Sequence, residues 1–195
     1  MRNRRGSGRP PAGDTSVRYA LLRAAATQFS HCGYAGASTR AILAGAGATA
    51  PALYHHFGNK TGLYIAAASA AQDHVLGALE AVAETATTGA DSVAALFAVA
   101  VDLRREHPNV AKYLSVIQQD VARHPELAEL KAYEPRFDRV WRGIAGEKRP
   151  LAVATGLRAV FEGLLSVGGA DLPHESVVAA ANFLADAFRD GGAGR

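Results

Sequence analysis

The chain of 195 residues predicts an all-α fold of about nine helices, on three observations. Apolar residues recur at three- and four-residue spacing from Val17 to Phe188. No stretch alternates apolar and polar residues with the period of two that a half-buried strand would show. Gly and Pro mostly punctuate the periodic runs, at Gly33, Gly47, Gly58, Pro108, Pro125 and Pro173. Half of the residues are apolar, which is enough to bury a real core in a chain of this length.

Met1 to Asp14 has an arginine cluster followed by Gly and Pro and no apolar period, and is expected to be a flexible basic arm. The first helix is expected from Thr15 or Ser16 to about His31. Val17, Leu21, Leu22, Ala25 and Phe29 form its stripe, Gly33 ends it, and Tyr34 is expected to pack back on Phe29. Ser38 caps a second helix through about Gly45, and Gly47 stands where the chain needs a positive φ. Thr49 caps a third helix with Pro51 in its first turn. Leu53 and Phe57 share one face of it, and Ala50, Tyr54 and His55 lie towards the other, with neighbouring His55 and His56 pointing to different faces. Gly58 stops this helix and Asn59 caps the next. Two short helices joined by a Gly-containing turn are the helix-turn-helix pattern, whose second helix enters a DNA major groove.

The fourth helix is expected from Lys60 to about Glu84, with Gly62 costing about 1 kcal/mol against Ala and Gly77 a weak point. Thr85 to Ala90 reads as a loop. A fifth helix, capped by Asp91 or Ser92, is apolar around most of its circumference and is expected to lie centrally in a bundle. A sixth covers about Asn109 to Arg123, and a seventh runs from Pro125 to about Gly143, kinked or split near Glu134 by Pro135. Leu151 to Val167 and His174 to Arg189 supply the eighth and ninth.

Composition narrows the function. Cys32 is the single cysteine, which excludes an intrachain disulfide framework and suits a reducing cytoplasm. The N-terminal arginines precede no apolar segment, so no signal peptide is read. The uncharged run from Ala41 to Asn59 contains glycines, a proline and two histidines and does not read as a membrane span. There is no phosphate-cradling Gly loop, no Gly-x-Ser-x-Gly elbow, no His-Glu-x-x-His and no metal-spaced Cys/His set, so an enzyme is not expected, nor a cofactor or metal. Residues 1–64 hold eight Arg or Lys against Asp14 alone, a net +7, whereas the remaining chain is net −4. A basic segment joined to a helix-turn-helix points to DNA phosphates.

From Leu21 to Leu63 the sequence resembles the DNA-binding domain of TetR-type transcriptional regulators. The residues that carry the resemblance are Leu22, Ala25, Phe29, Gly33-Tyr34, Ile42, Ala46-Gly47 and the run from Leu53-Tyr54 through His56-Phe57 to Lys60 and Leu63. It implies a head over residues 15–62 and a helical effector-binding and dimerisation body over residues 63–195. It places Arg40, Thr49, Ala50, Pro51 and His55 at or near bases, and Ser38, Thr39, Tyr54, His56 and Lys60 near phosphates. It further implies a homodimer through the last two helices, with two recognition helices reaching half-sites of a pseudopalindromic operator roughly 34 Å apart. Repression would be relieved by a small, largely hydrophobic effector in a cavity among helices four to seven, with Phe97, Tyr113, Ile117, Gln118, Phe137, Trp141 and Phe161 as liners. The alternative is a helical DNA-architectural or scaffold protein without effector response.

Overall fold

A computed structural model describes residues 12–85, 89–146 and 151–166, with scattered positions between 175 and 186. Among the described residues the secondary structure is helical throughout: α1 (Ala12–Gly36), α2 (Thr39–Ala46), α3 (Ala50–Phe57), α4 (Lys60–Thr85), α5 (Gly89–Glu106), α6 (Pro108–Arg123), a 3-10 helix (Pro125–Tyr133), α7 (Glu134–Ala145) and α8 (Leu151–Ser166). Half of the expected ninth helix lies outside the described residues; those described within it are helical.

Local chemistry sets the ends of the short helices. The Ser38 hydroxyl oxygen accepts from the Ala41 N–H at 3.5 Å, and Gly47 ends α2 in the left-handed conformation at φ 59°. Thr49 has the extended backbone of a cap, but its side chain makes no capping hydrogen bond, and Pro51 in the first turn starts α3 without one. The Asn59 side-chain oxygen accepts from the Gly62 N–H at 2.8 Å and caps α4.

Several boundaries depart from expectation. α1 begins at Ala12, so the last residues assigned to the flexible arm are helical, while residues 1–11 lie outside the described ones. The first helix breaks at Gly33 (φ 66°, ψ 179°), as expected, and a further helical turn follows to Gly36. α5 starts at Gly89, which puts Asp91 in the first turn, where its charge favours the helix dipole, instead of at the cap. The seventh helix divides at Glu134: Pro135 cannot supply an N–H, and the segment before it winds as a 3-10 helix.

α5 packs against α4, α6, α7 and α8 in the body, as its apolar circumference predicts, and α4 runs through both apolar clusters. α4 packs against α1, α3, α5, α6, the 3-10 helix and α7. Its buried face runs unbroken from Leu63 and Tyr64 through Ala67, Ala71 and Val75 to Leu79 and Val82. Two apolar clusters share this helix. One gathers Leu21, Phe29, Ile42, Leu53 and Leu63 of the head together with Tyr113, Ile117, Leu127 and Leu130. The other gathers Val75 to Val82 with α5, α7 and α8 around Leu96, Phe97, Trp141 and Phe161. No helix of the described residues is long and apolar enough to cross a membrane.

Candidate nucleic-acid interface and body cavity

The head is built around α3. Leu53 is buried at 2% exposure and Phe57 is half-buried, so the helix is anchored by the face the spacing predicts. The opposite face is open: Thr49, Ala50, Pro51, Tyr54 and His55 are exposed, Tyr54 at 63%. Ser38, Thr39 and Arg40 at the start of α2 are exposed as well, whereas His56 and Lys60 are half-buried. Every residue assigned to DNA therefore lies at the surface or its edge. His55 and His56 do not diverge as expected: their ring centroids are 5.1 Å apart, and His56 lies 6.0 Å from Phe57. The Arg18 guanidinium of α1 sits 5.5 Å from the Phe57 ring, which brings a further exposed cation beside α3.

Lys60 is less free than its place at a helix N-terminus implies. Its ammonium donates to the Ala35 carbonyl at 3.2 Å and lies 5.1 Å from the centre of the Tyr34 ring. Burial pushes its pKa down, and the charge of Asp120 opposes that shift. The basic residue thus joins the end of α1 to the start of α4 while keeping part of its surface open.

Tyr34 does not rest on Phe29 directly. Its ring meets Tyr64 (5.3 Å) and His124 (4.9 Å), Tyr64 in turn meets Phe29 (4.7 Å), and the Tyr34 hydroxyl is 2.8 Å from that of Thr61. Beneath this aromatic group lies Asp120 of α6, buried at 7% exposure. Its carboxylate accepts from the Tyr34 backbone N–H at 2.7 Å and from the Tyr64 hydroxyl at 2.8 Å. Gly33 permits the first bond: its backbone is left-handed in φ, and a Cβ there would stand 3.3 Å from the Asp120 carboxylate. Burial first, then the Asp120 hydrogen bond, drive the Tyr64 pKa far above the usual phenol range; burial and neighbouring Tyr64 do the same for Tyr113.

In the body, α4, α6, the 3-10 helix, α7 and α8 enclose a cavity of about 420 Å³. Five of the seven expected liners face it: Ile117, Gln118, Phe137, Trp141 and Phe161. Phe97 and Tyr113 do not. Phe97 is packed at 3% exposure in the body cluster, and Tyr113, fully buried, belongs to the aromatic group under the head. Of the four helices expected to form it, α5 contributes no lining residue among those described, whereas α8, which carries the expected liner Phe161, does. Gln72 of α4 lines it too and was not foreseen. The signal was a single amide within an alanine-rich run, in helical phase with the inward-facing Leu76 and Leu79.

Residues 21–67 match the model for bacterial regulatory proteins of the tetR family. The head is a TetR-family DNA-binding domain. Solved TetR-type structures extend the likeness over most of the chain. A TetR-like transcriptional regulator from Rhodococcus sp. RHA1 superposes with a TM-score of 0.70 at 19% identity, over 96% of this chain and 100% of that one. The ketosteroid transcriptional regulator KstR2 of Mycobacterium tuberculosis gives 0.69 at 16% identity, over 87% and 93%. Salmonella enterica GusR gives 0.66 at 22% identity, over 93% and 96%. At these identities the likeness speaks for the fold. No curated protein matches the sequence significantly.

Proposed function

We propose that this TetR-type regulator is a homodimeric repressor that binds a pseudopalindromic operator and is released when a small molecule enters the body cavity. The observation that carries the DNA half of this reading is the open face of α3, with Thr49, Tyr54 and His55 exposed, together with exposed Arg40, in a head over residues 15–62 whose only formal charges are positive. Arg40 forks onto guanine, and Thr49 offers a methyl or a hydroxyl to a base edge. Ala50 and Pro51 contribute no side-chain hydrogen bonds, so part of the selectivity comes from DNA shape. Ser38, Thr39, Tyr54, His56 and Lys60 hold phosphates.

A single head of this size binds DNA weakly, which favours a two-fold pair with heads about one helical turn apart. Large apolar side chains open to solvent on the last helices support pairing there: Leu151 at the start of α8 is 62% exposed and Phe183 is 72% exposed. The cavity supports the effector half of the reading, because it borders α4, the helix that continues into the head. Selection of bound sequences from a random DNA library tests the whole. A palindromic motif with half-sites one turn apart is expected, and sequence-indifferent binding would instead favour an architectural protein. Light scattering at micromolar concentration should give the mass of a dimer; a persistent monomer contradicts pairing through the last helices.

A further inference from the structure

The polar groups around the body cavity are unequally served. The Arg158 guanidinium donates to Glu162 at 2.8 Å and lies 3.6 Å from Asp138, and the Gln118 amide donates to Glu162 at 3.0 Å. Arg158 is matched by Glu162 and Asp138, and the other lining cation, Lys131, is solvent-exposed on the 3-10 helix, so among the described lining residues no buried unpaired cation awaits an anionic ligand. Gln72 is different. It is 8% exposed, it lines the cavity, and its side-chain oxygen has no hydrogen-bond partner among the described residues. A buried amide oxygen without a partner is costly in an apolar wall. The apolar part of the lining includes Val75, Leu114, Phe137, Trp141 and Phe161; the Trp141 and Phe161 rings meet edge to face at 5.3 Å.

We propose that the cavity takes a neutral, polycyclic or aromatic molecule bearing a hydroxyl group, with that hydroxyl hydrogen-bonded to the side-chain amide of Gln72. The inference rests on the cavity being the effector site. Ring faces pack against Phe137, Trp141 and Phe161, and burial of that surface supplies most of the affinity. The hydroxyl selects among ligands of the same shape. It suits an amide in either orientation, because it donates to the oxygen and accepts from the nitrogen. A ligand lacking it leaves the amide unpartnered, and a carboxylate in its place brings an uncompensated charge to an apolar wall.

Equilibrium dialysis of the full-length protein against 9-phenanthrol, phenanthrene and phenanthrene-9-carboxylate tests this. Wild-type protein is expected to bind the phenanthrol about tenfold or more tighter than phenanthrene, and the carboxylate weakest. Gln72→Met, which keeps the length of the side chain and removes its amide, is expected to bind phenanthrol and phenanthrene alike while holding phenanthrene as the wild type does. Gln72→Leu is the second variant, and retained phenanthrene binding shows that either one has kept the cavity. Equal binding of the two neutral probes by wild type, a phenanthrol preference that survives in the variants, or tightest binding of the carboxylate would each overturn the proposal and leave the effector site standing. Failure of all three probes to bind would remove the effector site and this inference together.

Discussion

The Asp120 carboxylate and the Tyr34 backbone N–H, 86 residues apart in sequence, meet at 2.7 Å. This bond fastens the end of α1, in the head, to the last turns of α6, in the body. The same oxygen accepts from the Tyr64 hydroxyl at 2.8 Å on α4. One buried carboxylate thus holds three helices, and each bond has the strength expected when one partner is charged.

Replacing Asp120 should reveal that strength. Asp120→Ala leaves a backbone N–H and a phenol without their acceptor and is expected to lower stability by about 3 kcal/mol or more. Asp120→Asn retains an acceptor and should lose less. Urea denaturation followed by circular dichroism measures both, and a loss below about 1 kcal/mol for the alanine variant would show the bonds to be dispensable.

Alkaline pH should act through Tyr64 and Tyr113. Both are held neutral in the folded protein, with pKa values raised above 10.0, which they regain on unfolding. Their folded forms bind protons that the unfolded chain releases above that pH. The stability they contribute is therefore complete below about pH 10 and falls as pH rises further, by at most about 1.4 kcal/mol per pH unit for each tyrosine. Tyr113→Phe removes one of the two and should flatten the dependence measured between pH 9 and pH 11. An unchanged slope would exclude Tyr113 as a contributor.

Two glycines of α4 should respond to alanine in opposite directions. Helix propensity alone favours Ala at Gly62 by about 1 kcal/mol. The structure reverses that expectation, because a Cβ at Gly62 would collide with the Phe57 carbonyl oxygen at the α3–α4 turn. Gly62→Ala should lower stability by about 1–3 kcal/mol. Gly77 is exposed and has open space where a Cβ would stand, so Gly77→Ala should raise stability by about 0.5–1 kcal/mol. Melting temperatures of the two single variants decide the matter, and a gain at Gly62 would refute the close approach.

Arg40 and Lys60 should divide the work of DNA binding. Arg40→Ala is expected to cost about 1–3 kcal/mol on the preferred sequence and to relax selectivity at one position. Lys60→Ala should weaken all sequences alike by about 1 kcal/mol and reduce the salt slope by about 1. Because Lys60 also donates to the Ala35 carbonyl, its variant should melt at a lower temperature than Arg40→Ala. Equal loss of selectivity from the two changes would contradict the division. Titrations on matched and scrambled duplexes at several salt concentrations separate these outcomes.

What the sequence showed of this structure was what neighbouring residues determine. Ser38, Gly47 and Asn59 act within three or four residues of themselves, and Pro135 breaks a helix by its own chemistry, so the head and the divided seventh helix were legible. Long-range partners were not. Asp120 stands in helical phase with Tyr113 and Ile117, but nothing near it in sequence announces Tyr34 or Tyr64. Tyr113 and Phe97 failed as cavity liners for a related reason. An aromatic residue on an inward face fits a packed core as well as a pocket, and only the path of the other helices separates the two. Gly62 misled because its reason, the Phe57 carbonyl five residues earlier, depends on the geometry of the α3–α4 turn and not on helix propensity.

The sharing of α4 between two apolar clusters limits how far the DNA-reading unit is portable. The expected border at residue 62 or 63 passes through side chains that the first cluster needs, since Leu63, Tyr64 and Ala67 lie beyond it and Tyr113, Ile117, Leu127 and Leu130 far beyond it. A chimera that joined residues 1–62 to a foreign trunk would strip Phe29 and Leu53 of their cover. Evolution can change the ligand chemistry of such a molecule by altering the cavity wall, but exchanging whole heads between relatives requires the end of α6 to travel with them.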